Sequence, residues 1–267
     1  MNKQHGLNDN YGDIWDTKGL TFLGYWALKK HQFGHGLLIF HATAFGAKVG
    51  NLIHIKWDVF KKEITKDYVF FDYNDIEIET SNGEKLTFGF HLIKQYEFVF
   101  NAIIKQNPNF SYDDFIYTNS KTGKVLTTST LKRELQTLYK KTKVEIKDLT
   151  GYELVYREIE TNAFEIAWGR EIVNYYRFAK QAFIKVSKRM GHRTLKDTIA
   201  LLEFDIMEDI DLKINFYDTS TYSPLGSLLE KEIDVNELKG MLSGVKYKLN
   251  GTQYNTKRFP YPILERL

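Results

Sequence analysis

Apolar residues recur at helical spacing from Leu20 to His31, where Leu20, Leu23, Trp26 with Ala27, and then Lys30 pass down successive turns. After a break at Gly34-His35-Gly36, Leu37 to Phe45 is apolar on nearly every side and predicts a buried helix. Tyr68–Tyr73 and Asp75–Thr80 read as strands, and Ser81-Asn82-Gly83 turns the chain into a third, Lys85–Phe90, to give a hairpin. Leu92 to Gln106 has an amphipathic helical pattern that ends before Asn107-Pro108. Phe115–Thr118 reads as a short strand closed by a turn at Lys121-Thr122-Gly123-Lys124. Thr127, Thr128 and Ser129 supply N-cap candidates for a basic helix running to about Lys143. Three more helices are expected at Asn162–Phe178, Lys180–Met190 and Leu195 to about Phe204, after which the pattern weakens. The predicted class is α+β, mostly α, with a small antiparallel sheet and one core over residues 1–204, followed by a C-terminal extension over 205–267.

Composition narrows the classes of protein this can be. A chain of 267 residues lies close to the upper limit for a single core. Its 43% hydrophobic and 27% charged residues exclude disorder as the main state, and 15% aromatic residues predict an aromatic core. The absence of cysteine excludes disulfides, thiolate zinc sites, iron–sulfur clusters and cysteine nucleophiles. Met1 to Tyr11 is polar, and the longest uncharged stretch, His31 to Ala47, is too short to span a bilayer. A soluble, cytoplasmic protein is expected.

The net charge of +3 hides an asymmetry. Between Arg170 and Lys196, eight basic residues face one acid, Glu171, for a local charge of +7. Between Asp197 and Gly240, eleven acids face three lysines, for −8. Basic helices of such density suit a phosphate backbone, whose counterions they release on binding; the plainer alternative is a solvated helical face.

Other candidate chemistry is weak. His31 and His35 have i,i+4 spacing and His41 follows, but the glycines at 34 and 36 disfavour a rigid ligand pair, and no metal site is expected. Ser120 to Lys124 suggests a phosphate loop only superficially, because the glycine-lysine pattern of such loops is missing. There is no serine-nucleophile elbow and no dinucleotide fingerprint, so no cofactor is expected.

Three segments together resemble the catalytic domain of the tyrosine recombinases, the phage-integrase family. Phe45-Gly46-Ala47-Lys48-Val49-Gly50-Asn51-Leu52-Ile53-His54-Ile55-Lys56-Trp57-Asp58 is similar to the family pattern T-G-L-R-I-S-E-L-x-x-L-x-W-x-D, with the glycine, the aliphatic spacing and Trp57 in place. Ala167-Trp168-Gly169-Arg170 stands where the family has H-x-x-R. Arg189-Met190-Gly191-His192, with Thr198 downstream, resembles the family's L-G-H segment and lies at an acceptable interval, His192 being 22 residues after Arg170. The resemblance covers roughly residues 15 to 204 and implies the family's catalytic-domain fold.

In that family a tyrosine hydroxyl attacks a DNA phosphodiester, arginines and a histidine surround the phosphate, and a hairpin lysine protonates the leaving oxygen. The resemblance places Lys48 at the first arginine position, which keeps the charge but loses the planar fork. Ser81 falls where the lysine is expected, with Lys85 as a substitute a few residues on. Ala167 replaces a histidine, whereas Arg170 and His192 are retained. The nucleophile position is Leu201, nine residues beyond His192, and leucine cannot attack; Tyr217 and Tyr222 lie well beyond it. Taken singly, Arg170 reads as a surface partner of Glu171, Glu165 or Glu160, His192 as a capping or core histidine, and Trp57 as core.

The resulting expectation is a degenerate, catalytically inactive, DNA-binding recombinase- or integrase-like protein, accessory or regulatory to a mobile element or phage. DNA contact is expected from Lys48, Lys85, Arg170, Arg177, Lys180, Lys185, Lys188, Arg189, His192 and Arg193. The family's N-terminal core-binding domain is not expected here, since the first motif begins near residue 45. The acidic part of the extension is expected to lie over the basic block, or to dock on a second copy or on an active recombinase. Two alternatives stay open: an active recombinase with Tyr217 or Tyr222 as a displaced nucleophile, and an assembly protein that kept only the fold.

Overall fold

The computed structural model describes residues 13–60, 74–79, 85–90, 104, 109–176, 178–203, 234–242, 245–249 and 252–254. Two helices open it, α1 (Thr17–Lys29) and α2 (Phe33–Phe45), followed by the single turn α3 (Val49–Leu52) and a 3-10 turn at Trp57–Phe60. Strands β1 (Asn74–Glu79) and β2 (Lys85–Phe90) pair antiparallel, with Asn74 opposite Phe90 and Glu79 opposite Lys85. The long α4 (Thr128–Thr150) leads into β3 (Glu153–Leu154). Then come α5 (Ala163–Tyr175), α6 (Lys180–Met190), α7 (Leu195–Leu201) and α8 (Val235–Met241). Strands β4 (Tyr247–Leu249) and β5 (Thr252–Tyr254) add to β3 in a second antiparallel sheet, in the order β3-β4-β5. The protein is therefore mostly helical α+β. The strand expected at Tyr68–Tyr73 and the turn at Ser81–Gly83 lie outside the described residues, as does the helix expected at Leu92–Gln106 except for Ile104.

The predicted break at Gly34–Gly36 is a helix start instead. α2 begins at Phe33, and its glycines serve close approach rather than interruption. A Cβ on Gly34 would collide with the backbone of Thr118, and one on Gly36 would meet Leu28 and the carbonyl oxygen of Gly24 on α1. α4 runs seven residues past the expected end at Lys143, because Leu138, Tyr139, Thr142 and Ile146 keep one face buried until Gly151 ends the helix in a left-handed conformation.

Two apolar clusters replace the single core expected. The larger takes in both faces of α1 and α2, the inner face of α4, the start of α5, and Leu238, Leu242 and Val245 from the extension. An aromatic junction organises one side of it. The Trp15 ring stacks on Tyr156 at 4.4 Å and meets Tyr139 edge-on at 4.8 Å. The polar tips of these rings reach partners, as buried aromatic hydroxyls and indoles must: Trp15 Nε1 donates to the Arg157 carbonyl, and the Tyr139 hydroxyl donates to the Tyr156 carbonyl. The Tyr156 hydroxyl donates to Asp16 and accepts from the Lys246 amide, so the first helix and the C-terminal strands share one anchor. The smaller cluster holds Ile172, Val173, Ala182, Val186, Met190 and Leu202, where α5, α6 and α7 meet.

The three histidines of the early segment find separate partners. His35 lies 2.9 Å from Glu134 on α4, and His41 lies 2.7 Å from the Tyr117 hydroxyl, while His31 is exposed and stands edge-on to Phe33. Among the described residues no group of three or more His, Cys, Asp or Glu could hold a metal, and no helix is long and apolar enough to cross a membrane.

The close approach at Gly34 has a measurable consequence. Gly34→Ala should lower stability by about 3 kcal/mol in chemical denaturation, because the obstacle is backbone and cannot swing aside. Gly123→Ala, at an exposed turn with open space around it, should cost about 1 kcal/mol from its left-handed backbone alone. Equal losses at the two positions would contradict the packing described.

Candidate nucleic-acid interface

α2 ends at Gly46, whose φ of +57° turns the chain sharply toward Lys48. Trp168 of α5 lies against Gly46 so closely that a Cβ there would overlap the indole. One residue earlier, the Phe45 carbonyl accepts a 3.0 Å hydrogen bond from Nε of Arg189. On the other side of Trp168, Gly169 packs against Val186 and Met190 of α6 and Leu202 after α7. The three segments singled out in the sequence, at 45–58, 167–170 and 189–192, thus meet at one place although more than 100 residues separate the first from the others.

Lys48 is exposed at the start of α3, and its ammonium acts on two groups at this junction. One is His192, half-buried after the left-handed Gly191 that ends α6. Burial lowers the imidazole pKa, Lys48 lowers it further, and Asp197 opposes them. Nδ1 of His192 lies 3.0 Å from the Thr198 hydroxyl, and its backbone amide donates to the Ser187 carbonyl, so the ring is held at the corner. The other group is Glu165, only 6% exposed on α5. Burial raises its carboxyl from 4.5 to about 7, with Lys48 pulling the other way. Glu165 carries a signal that the sequence reading did not use: a lone carboxylate between Phe164 and Ile166 on a helix that is otherwise apolar there.

The three glutamates suggested as surface partners of Arg170 are engaged elsewhere. Glu160 pairs with Lys132 at 2.7 Å, Glu165 is buried beside Lys48, and Glu171 turns to Thr17 at the start of α1. The Arg170 guanidinium instead donates to the carbonyls of Leu202 and Glu203. These carbonyls end α7 at a turn in which Glu203 has a φ of +52°, and Arg157 holds the same turn through a two-pronged pair with the Glu203 carboxylate at 2.6 and 3.0 Å. Arg170 therefore stands beside the Leu201 position but fastens backbone. Leu201 itself packs half-buried against the smaller cluster, and Ala167 is buried in the larger one. Trp57 is core, at 2% exposed.

The basic block divides into fasteners and open cations. Arg170 and Arg189 are fasteners. Lys180, Lys185, Lys188 and Arg193 are exposed, as is Lys196. Among the described residues none of Lys180, Lys188, Arg193 or Lys196 has an ion-pair partner. The block's one acid, Glu171, is itself raised to about 7 by burial, which trims its opposing charge near neutral pH. The other basic helix, α4, is matched in part: Arg133 and Lys141 are exposed with no ion-pair partner among the described residues, but four of its lysines are paired. Lys132, Lys140, Lys143 and Lys147 are matched by Glu160, Glu158 and Glu153 at 2.7 to 3.3 Å. Of the remaining expected contacts, Lys85 begins β2 opposite Glu79, and Arg177 lies outside the described residues. Ser81, Tyr217 and Tyr222 lie outside them too, along with the acidic stretch from 204 to 233.

Glu165 gives the junction a pH signature. Between pH 4.5 and about 7 the folded chain keeps a proton that the unfolded chain has released, so this residue's contribution to stability falls as pH rises through that window. Glu165→Gln holds the neutral shape at every pH. Its stability relative to the parent should rise by about 2 to 3 kcal/mol between pH 4.5 and pH 8, read by thermal or urea denaturation. A difference that stays constant across the window would contradict the buried acid.

No family model, no curated protein and no solved structure matches the chain.

Proposed function

We propose that this chain is a DNA-binding protein of the tyrosine-recombinase type that has lost strand-cleaving activity, and that it serves a mobile element or phage as an accessory or regulatory factor. The observation that carries this reading is the meeting of the three recombinase-like segments around Gly46. Chance motif matches scattered along a chain have no reason to pack on one another.

The contacts follow from which cations are available. Lys48 and His192 stand at one corner, where a phosphate oxygen would take a hydrogen bond from each and raise the histidine's basicity in return. Lys180 and Lys188 on α6 and Arg193 just beyond it extend positive potential from that corner, and none of the three has an ion-pair partner among the described residues. Such contacts position a duplex without reading its bases. Cleavage is a different matter. It needs a nucleophile at Leu201, a forked cation at Lys48 and a histidine at Ala167, and each has been replaced by a side chain unable to supply that chemistry.

Fluorescence anisotropy on a mixed-sequence duplex tests the reading. Affinity should fall steeply between about 50 and 200 mM salt. The triple variant Lys180→Ala/Lys188→Ala/Arg193→Ala should weaken binding and reduce the salt slope by about 2 to 3, one phosphate per lost cation. Lys132→Ala/Lys140→Ala, which removes cations already matched by glutamates, should leave the affinity within about twofold. Absence of binding at low salt would overturn the proposal in favour of an assembly protein. Suicide-nicked DNA should give no covalent adduct, and an adduct abolished by Tyr217→Phe or Tyr222→Phe would instead establish an active recombinase.

A further inference from the structure

Every polar atom of His192 except one is held by the fold. Its amide donates to the Ser187 carbonyl at 2.9 Å, and its carbonyl accepts from the Ser187 hydroxyl at 3.4 Å. Nδ1 lies 3.0 Å from the Thr198 hydroxyl. Nε2 meets no described residue and reaches solvent. Thr198, on α7, is 0% exposed. Other buried helical threonines, such as Thr43 and Thr142, give the hydroxyl proton to the carbonyl four residues back. Thr198 makes no such bond, and the imidazole nitrogen is the one partner of its hydroxyl among the described residues.

The proton count fixes the roles in that bond. Were Nδ1 the donor, the Thr198 hydroxyl would only accept, and its own proton would be buried without a partner. With the hydroxyl donating, Nδ1 accepts, both groups are satisfied, and the ring proton sits on Nε2. Burial and then Lys48 lower the imidazole pKa against the pull of Asp197, so the ring is neutral at about pH 7.5. We infer that Thr198 sets the tautomer of His192, so that the neutral ring turns an N–H rather than a lone pair toward a DNA phosphate oxygen beside Lys48. A lone pair at Nε2 would repel that oxygen. Thr198 is thus a positioning residue, acting through the imidazole without touching DNA. The contact adds a hydrogen bond and no charge. This inference rests on the DNA-binding reading and adds to it the residue that orients the histidine and the protonation state in which the histidine binds.

Two readouts test it: the imidazole tautomer by long-range proton–nitrogen NMR, and affinity for a mixed-sequence duplex by anisotropy at about pH 7.5. The intact protein should carry the His192 ring proton on Nε2. Thr198→Val keeps the side-chain shape and removes the hydroxyl. It should move part of that proton to Nδ1 and weaken binding about threefold to tenfold, the equivalent of one neutral hydrogen bond. The salt slope should stay unchanged, because no cation is lost. Thr198→Ser, which keeps the hydroxyl, should restore both the tautomer and the affinity. In a His192→Ala background, Thr198→Val should weaken binding no further. A ring proton on Nδ1 in the intact protein would overturn the inference, and that measurement needs neither a variant nor DNA. Unchanged affinity in Thr198→Val, or the same loss with and without His192, would also overturn it and leave the proposed function standing. An intact protein that binds no duplex would overturn both.

Discussion

The turn at Phe45-Gly46 carries the arrangement on which the proposed activity depends. Gly46 reverses the chain in a left-handed conformation, and the absence of a side chain lets the Trp168 indole lie on the backbone. The carbonyl just before it is taken by Arg189, a charge-assisted bond that buries part of the guanidinium. One peptide unit thus fixes α5 and the end of α6 against the end of α2. Lys48 emerges two residues later, already placed beside His192 and Glu165.

The electrostatics of the junction follow from that packing. Burial keeps Glu165 protonated up to about neutral pH and keeps His192 below its ordinary basicity, so the corner holds one secure positive charge, on Lys48. A phosphate arriving there would meet a cation and a histidine, with Glu165 neutral below about pH 7 and Asp197 the opposing carboxylate. The basic block behaves as two populations. Arg170 and Arg189 are structural, tying backbone carbonyls at the ends of α7 and α2, whereas the lysines of α6 face outward. Sequence charge counts cannot separate these roles, because each basic residue adds one charge to the +7 whichever role it has.

Local signals in the sequence proved reliable where the physics is local. Lys180–Met190 coincides with α6 because its apolar residues recur at helical spacing and Gly191 stops it; β2 coincides with Lys85–Phe90. Signals that depend on distant partners misled or were silent. The glycines at 34 and 36 looked like a break, since their reason lies in Thr118 and in α1. β4 and β5 left little trace, being three residues each, with β4 paired to a two-residue strand almost a hundred positions earlier and β5 paired only to β4. The site was legible as three motifs, whereas the burial of Glu165 and the backbone role of Arg170 were not, because each depends on which side of α5 meets the core.

The central claim is that Lys48 and His192 form a phosphate-binding corner, and a histidine reports on its own neighbours. His192 can be followed by NMR through its ring Cε1–H signal, assigned with a His192→Gln variant, in titrations with and without duplex DNA. The account predicts a pKa below the ordinary 6.5 in the free protein that rises when DNA is bound. A His192 titration unchanged at saturating DNA would contradict it.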